Sequence, residues 1–264
     1  MPEGHTIHRI AKDHRPLLVG HVPQVSSPQG RFADGAVCLD GLTVEGIEAY
    51  GKHLFYRWDD GTVLHVHLGL FGKFRIHRGP EPPAPGESVR LRMRAPSATV
   101  DLSGPTDCSL GDEADRDRIV ARLGPDPLRA DADPERFHRR VARSKAPIGG
   151  LLLDQAVIAG VGNVYRAEAL FVCGVDPERR GSSLGDVDRQ ALWDTIGSML
   201  RAGVKANRIV TVDRAEVGLP AGARHRRGET TYAYKRRVCL RCGSDIRWFP
   251  LANRPCYACP GCQR

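Results

Sequence analysis

Two groups of residues, at opposite ends of this 264-residue chain, have the types and spacing that chemistry needs. The chain opens Met1-Pro2-Glu3-Gly4. Removal of Met1 turns Pro2 into a free secondary amine with the Glu3 carboxylate fixed beside it. Such an amine can attack a sugar or carbonyl carbon and form an iminium, the Schiff-base logic usually supplied by lysine. An α-amino group has a pKa near ~7.7–8.0, so roughly a tenth of it is unprotonated at pH 7. That is a usable nucleophile where an ordinary lysine is not. At the far end, Cys239-x2-Cys242 and Cys259-x2-Cys262 form two knuckles with sixteen residues between them. Two such pairs suit one tetrahedral Zn2+ held by four thiolates, and a closed site of that kind is structural. Cys256-x2-Cys259 has the same spacing, so a set made of Cys239, Cys242, Cys256 and Cys259 stays open. The tight turn offered by Pro260-Gly261 favours Cys262. Between the knuckles, Ile246-Arg247-Trp248-Phe249 and Asn253-Arg254-Pro255 read as strand, turn, strand, which sets Arg254 near the tip, within reach of a phosphate. Cys38, Cys108 and Cys173 lack partners at ligand spacing and are expected to be small buried apolar groups.

These residues must be positioned by elements that the pattern predicts. Residues 2–15 read as a helix, with Ile7, Ile10 and Ala11 at helical spacing and Thr6 as a cap. Short β-type runs follow at 44–49, 53–58, 62–68, 73–77, 89–93 and 98–102, broken by Gly, Pro and Asp, which suggests a sandwich or barrel. Residues 63–68 alternate apolar and polar, the pattern of a half-buried strand. The Pro-rich stretch 79–86 is a surface loop. At Leu123-Gly124-Pro125-Asp126-Pro127-Leu128 the texture becomes helical, with helices expected over 134–143, 151–158, 163–172 and 184–202. Gly160-Val161-Gly162-Asn163 permits a tight turn with Asn163 as N-cap, and the exposed N–H groups of such a helix start can grip a phosphate. An ordinary helix–helix turn explains the same residues. From about 204 to 231 the chain is Gly- and Arg-rich, and mobility is expected there.

Bulk properties narrow the partner. Lys plus Arg total 39 against 31 Asp plus Glu, a net charge of +8, and the pI is near 9.3. That sign points to a polyanion. The charge concentrates before and within the knuckles: Arg224, Arg226, Arg227, Lys235, Arg236, Arg237, Arg241 and Arg247 face two acids, Glu229 and Asp245. No apolar stretch approaches the ~20 residues of a membrane span, and the N-terminus has no secretory pattern. A cytoplasmic location is expected, where eight cysteines suggest metal before disulfides.

Taken in order, these pieces resemble the formamidopyrimidine-DNA glycosylase and endonuclease VIII family of base-excision repair enzymes. The resemblance runs through Pro2-Glu3-Gly4, Gly51-Lys52-His53-Leu54-Phe55 and His67-Leu68-Gly69-Leu70-Phe71-Gly72. It continues through Leu123-Gly124-Pro125-Asp126-Pro127-Leu128 and Leu151-Leu152-Leu153-Asp154-Gln155, then Gly160-Val161-Gly162-Asn163-Val164-Tyr165, and ends in the knuckles with Arg254. It implies an α+β multidomain fold. An N-terminal β-sandwich with a flanking helix would span 1–122, a helix–two-turns–helix domain 123–225 and a β-hairpin zinc finger 226–264, with DNA in the cleft between the two domains. It also implies that Pro2 attacks C1′ of a damaged nucleotide flipped out of the stack. Glu3 would protonate the sugar ring oxygen, and Lys52 would lie near the lesion phosphate and sugar. Successive β and δ elimination would leave a one-nucleotide gap. Asn163 and Arg254, joined by His67, would pinch the backbone, and Leu70 would fill the hole left by the extruded base. The partner implied is damaged double-stranded DNA, with single-stranded or bubble DNA as an extension, bound by a monomer associated with the nucleoid.

Two departures bear on the substrate. Pro-Glu-Gly at the start looks like the endonuclease VIII branch, and Gly149 stands where the purine branch carries a lysine. Both suggest oxidised pyrimidines and abasic sites over 8-oxoguanine. The alternatives are an oxidised-purine glycosylase of the same family and a non-catalytic zinc-finger protein that binds damaged DNA. An RNA-binding zinc protein leaves the N-terminal constellation unexplained. The candidate lesion-recognition loop, 214–230, carries no readable motif.

Overall fold

The first ordered element is a helix, α1 (Gly4–Leu18), whose Ile7, Ala11, Leu17 and Leu18 are buried. Glu3 occupies its N-cap position. Thr6 does not cap it, because its hydroxyl lies 3.2 Å from Nε2 of His5. The computed structural model describes residues 2–79, 81–213, 215–216 and 230–264. These divide into two units, Met1–Arg122 and Leu123–Arg264.

In the first unit, α1 is followed by β1 (Gln24–Ser26), α2 (Ala33–Leu39), β2 (Val44–Tyr50), β3 (His53–Trp58), β4 (Val63–His67), β5 (Lys73–Arg78), β6 (Val89–Arg94), β7 (Ala98–Ser103), β8 (Asp107–Gly111) and α3 (Glu113–Ala121). The strands make two antiparallel four-stranded sheets, ordered β1-β6-β7-β5 and β2-β3-β4-β8. Their inward faces share one core that includes Leu54, Tyr56, Leu64, Val66, Leu91, Met93, Val100 and Leu102, with Ile7 and Leu18 of α1. Six strands stand where β-type runs are expected; β1, β8, α2 and α3 are additional. Strand β4 departs from its alternating pattern. Val63, Leu64, His65 and Val66 are all buried, because the outer face of this sheet is covered by an imidazole stack and by α3, whose Arg116 lies over Phe55. Cys38 departs too: it is exposed on α2, and Cys108 and Cys173 are half-buried.

The second unit contains α4 (Pro134–Ala142), α5 (Ile148–Leu151), α6 (Asn163–Val172), α7 (Asp186–Ala206) and the hairpin β9 (Arg247–Leu251) and β10 (Arg254–Ala258). Its helical core joins Phe137, Val141, Leu152, Ile158, Tyr165, Leu170, Leu192, Ile196 and Leu200. The helix expected over 151–158 is instead a pair of turns. Asp154 accepts from Ala156 N at 2.9 Å. Gln155 donates to the carbonyls of Leu153 and Val161, each at 2.9 Å, and accepts from Gly160 N. Side chains that capture nearby backbone in this way divert it from helix. The two-turn loop lies so close to Gly124 that a Cβ there would sit 2.4 Å from the carbonyl carbon of Val157. Helix α7 runs to Ala206, into the stretch read as irregular. Residues 217–229, and with them the expected domain boundary at 225/226, lie outside the described residues. Among the described residues no helix is long and apolar enough to cross a membrane.

Candidate active site and metal centre

Pro2 is half-buried just ahead of α1. Glu3 beside it is fully buried and makes no side-chain capping bond to the helix that it precedes. A carboxylate is favoured there by the helix dipole. His5, in the first turn, is pushed down to a pKa of about 4 by its burial and then by the charge of the chain's N-terminal amine. A neutral imidazole therefore lies close to the amine.

Helix α1 packs against β2 and β3, and the Gly51-Lys52 turn between those strands carries Lys52, half-buried. The turn is made possible by Gly51 at φ 57°. Antiparallel register sets His53 opposite His67 and Phe55 opposite His65, and β8 sets Asp107 opposite His67. The outer face of the sheet thus collects three imidazoles. The His53 and His65 rings stack at 5.1 Å, and His53 lies 5.1 Å from His67. The basicity of His67 is lowered by burial and by Lys52. Of this group sequence reading found only Lys52 and His67. His53 and His65 had a signal, histidines two apart on paired strands, that only register could decode.

Beyond β4 the chain turns tightly over Leu68 to Gly72, with Gly72 N donating to Leu68 O at 2.9 Å. Gly69, at φ 63°, is pressed against Thr106, whose Oγ1 would be 1.8 Å from an added Cβ. The turn leaves Leu70 49% and Phe71 84% exposed. Leu70 is therefore no buried strand leucine. Phe71 had been passed over, and it extends the same exposed apolar tip.

In the second unit Asn163 and Arg254 are brought together. Asn163 is not the N-cap of α6; Gly162 is. Asn163 is buried, and its Nδ2 donates to Pro255 O at 2.9 Å. Arg166, one turn on and wholly buried, donates to the Oδ1 of Asn163 and, at 3.0 Å, to Pro255 O. It also reaches Leu251 O at 3.2 Å and Gly149 O at 3.3 Å. These bonds grip the hairpin on both sides of its tip. Ala252 and Asn253 form the tip with φ of 52° and 58°, both left-handed as a two-residue hairpin turn requires. Arg254 follows, exposed.

The thiols of Cys239, Cys242, Cys259 and Cys262 all lie within 4.8 Å of one another. Cys256 is buried on β10, outside that group, which closes the alternative left by spacing. Four converging thiols in one cluster fit a tetrahedral metal such as Zn2+. Glu168 was not anticipated. It is buried on α6 and accepts from the backbone N–H groups of Tyr232, Ala233 and Tyr234 at 2.6, 2.9 and 2.8 Å, and from the hydroxyl of Thr211.

Comparison with known proteins adds to this geometry. Residues 1–105 match the model of the formamidopyrimidine-DNA glycosylase N-terminal domain, and residues 123–214 that of the formamidopyrimidine-DNA glycosylase H2TH domain. The chain is 44% identical to endonuclease 8 1 of Mycobacterium tuberculosis, with all of both chains covered. It is 34% identical to probable endonuclease 8 2 of Streptomyces coelicolor, over all of this chain and 94% of that one. Identity to the formamidopyrimidine-DNA glycosylase of Corynebacterium urealyticum is 28%, over 100% of this chain and 98% of the other. The fold resembles that of the Lactococcus lactis formamidopyrimidine-DNA glycosylase solved with abasic-site DNA, with a TM-score of 0.80 at 22% identity over 99% of both chains.

Proposed function

The chain belongs to the formamidopyrimidine-DNA glycosylase and endonuclease VIII family, and from that membership we propose that it is a bifunctional DNA glycosylase and abasic-site lyase of base-excision repair, acting on damaged double-stranded DNA and favouring oxidised pyrimidines. The nitrogen of Pro2, freed by loss of Met1, attacks C1′ of an extruded nucleotide. Glu3 delivers a proton to the ring oxygen, and the damaged base departs with the C1′–N bond pair. The resulting iminium acidifies the C2′ proton; its removal breaks the C3′–O bond, and a second elimination breaks the C5′–O bond. Lys52 steadies phosphate charge during both steps. Asn163, Arg254 and His67 hold the backbone, and Leu70 with Phe71 fills the vacated stack. Cys239, Cys242, Cys259 and Cys262 hold one structural Zn2+, which fixes the hairpin that bears Arg254.

The observation that supports this reading most is the burial of Glu3 directly beside Pro2, at a helix N-terminus, with a neutral imidazole close by. A carboxyl in such a place is built to exchange a proton with a bound substrate rather than with water. The pyrimidine preference draws support from Gly149. A Cβ there would lie 2.7 Å from Cδ2 of Leu251 and 3.0 Å from the carbonyl oxygen of Pro177, so this packing excludes a lysine.

Borohydride trapping tests the reading, using protein whose N-terminus has been checked by mass spectrometry and duplexes carrying an abasic site, thymine glycol or 8-oxoguanine. An adduct on Pro2, formed faster with thymine glycol than with 8-oxoguanine, is expected. The reverse order would move the enzyme to the purine branch. No adduct on any duplex would leave a DNA-binding protein without the chemistry.

A further inference from the structure

The outer face of the β2-β3-β4-β8 sheet holds a feature that the proposed chemistry has not used. Nδ1 of His53 lies 2.9 Å from Nε2 of His65, and Nδ1 of His65 lies 3.4 Å from Oδ2 of Asp107. His65 is 8% exposed, whereas the Asp107 side chain is 46% exposed. A carboxylate can only accept, and this fixes every proton in the chain. His65 carries its proton on Nδ1, towards Asp107, and so accepts at Nε2. His53 must then donate from Nδ1, which leaves a lone pair on its Nε2.

We propose that Asp107, His65 and His53 form a hydrogen-bonded positioning unit that locks His53 as a neutral acceptor beside the Lys52 ammonium and so orients Lys52 for elimination at the lesion. The inference rests on the reading of Lys52 given above.

Three observations carry it. Lys52 immediately precedes His53 and lowers the basicity of both His53 and His67, which places its ammonium close to the end of the chain. His53 itself is pushed down to about 3, by burial first and then by His65, His67 and Lys52, so it is neutral throughout the working range. The two imidazoles are spent on one another, and among the described residues only the cysteines form a metal-binding group. A ring needed merely as packing would not require a hydrogen-bonded line to a half-exposed carboxylate. That arrangement is how a fixed tautomer is imposed on an imidazole.

The test uses Asp107→Ala and Asp107→Glu in the full chain, read by 15N-histidine NMR and by single-turnover cleavage of an abasic duplex. In the wild type both His53 and His65 are expected to be protonated on Nδ1. Asp107→Ala should mix the tautomers of His53 and slow cleavage about tenfold, the size of one lost hydrogen bond to a charged acceptor, with DNA affinity unchanged. Asp107→Glu should restore both readouts, which mere loss of packing would not allow. His53 protonated on Nε2 in the wild type, or an Asp107→Ala variant that cleaves at the wild-type rate, would overturn the inference and leave the role of Pro2 intact. Wild-type protein that leaves abasic DNA uncut would overturn the reading of Pro2 and Lys52, and this inference with it.

Discussion

Both the sheets of the first unit and the β9–β10 hairpin of the second are antiparallel, yet they are held together by different means. Each large sheet buries one face in a shared core of aliphatic and aromatic side chains, and burial of that kind contributes about 1.5–3 kcal/mol for each large residue. The hairpin buries only Cys256 and Ala258 of its two strands. Beneath it lies a small cluster of Phe171, Val212, Tyr232, Ala233 and Ile246 with two of the metal-site thiols. An isolated hairpin is at best marginally stable in water. This one depends on point fastenings: four thiols, the Arg166 and Asn163 bonds at its tip, and the pairing of Arg247 with Asp176 and Glu178. An apolar core tolerates the loss of any one contact better than a set of fastenings does. The proposed covalent chemistry sits on the core-built unit and part of the DNA grip on the fastened one, so the two should fail separately.

The largest effect should come from blocking the amine. Protein that retains a residue ahead of Pro2 should lose strand cleavage by roughly a thousandfold or more, as enzymes stripped of their nucleophile do. It should keep its DNA affinity, and gel assays with fluorescence titration would show the split. Next is Cys239→Ser, or chelation. Structural zinc supplies on the order of 10–16 kcal/mol to small fingers, so β9 and β10 should lose hydrogen-exchange protection while β2 to β8 keep theirs. DNA binding should fall with the hairpin; unaltered binding would show that the fastened region is dispensable.

Glu168→Ala should cost the second unit about 3 kcal/mol. It strands three buried backbone N–H groups, each costing roughly 1–3 kcal/mol unless water reaches it. Denaturant unfolding would measure the loss. Acid should act on the first unit through its buried histidines. His14, whose Nδ1 is 2.7 Å from the Tyr56 hydroxyl, is lowered to about 4, chiefly by burial, and His53 to about 3. Both pKa values lie below that of the unfolded chain, near 6.5, so the unfolded state binds more protons once the pH drops below that point. Stability is therefore complete above about pH 6.5. It should decline by roughly 1.4 kcal/mol per pH unit for each histidine as the pH falls towards their folded values. Urea melts at pH 7.5, 6 and 5 would reveal the slope. The smallest change in stability belongs to Leu70→Ala, within about 0.5 kcal/mol because the side chain is half-exposed. Base excision should slow all the same, and an unchanged excision rate would remove Leu70 from the wedge.

What could be read from sequence followed the range of the forces involved. The bounds of β3 and α6 matched because both are set locally, one by an aromatic and apolar run and the other by Gly162 ahead of it. The pair of turns after α5 was misread as helix, since Leu151 to Ile158 have helical spacing and only the bonding of Gln155 betrays them. Strand β8 escaped because Asp107-Cys108-Ser109-Leu110-Gly111 has no β-branched residue. The thiol cluster was legible because its spacing is a local signature. The line from Asp107 through His65 to His53 was not, since it joins three strands whose register no single segment contains. Glu168 finds its partners 43 to 66 residues away.

That carboxylate has one more consequence. Thr211 and the segment from Tyr232 to Tyr234 both end on Glu168, Thr211 N donates to Thr230 O at 2.8 Å, and Asp213 N donates to the Tyr232 hydroxyl at 2.8 Å. The chain therefore leaves the domain and re-enters it at a single clasp. Beyond such a clasp, doubling the length of the excursion adds only about 0.6 kcal/mol of closure entropy. The stretch inside is then an exchangeable cassette: a lineage, or an engineer, can rewrite its length and composition while the helices and the hairpin keep their places.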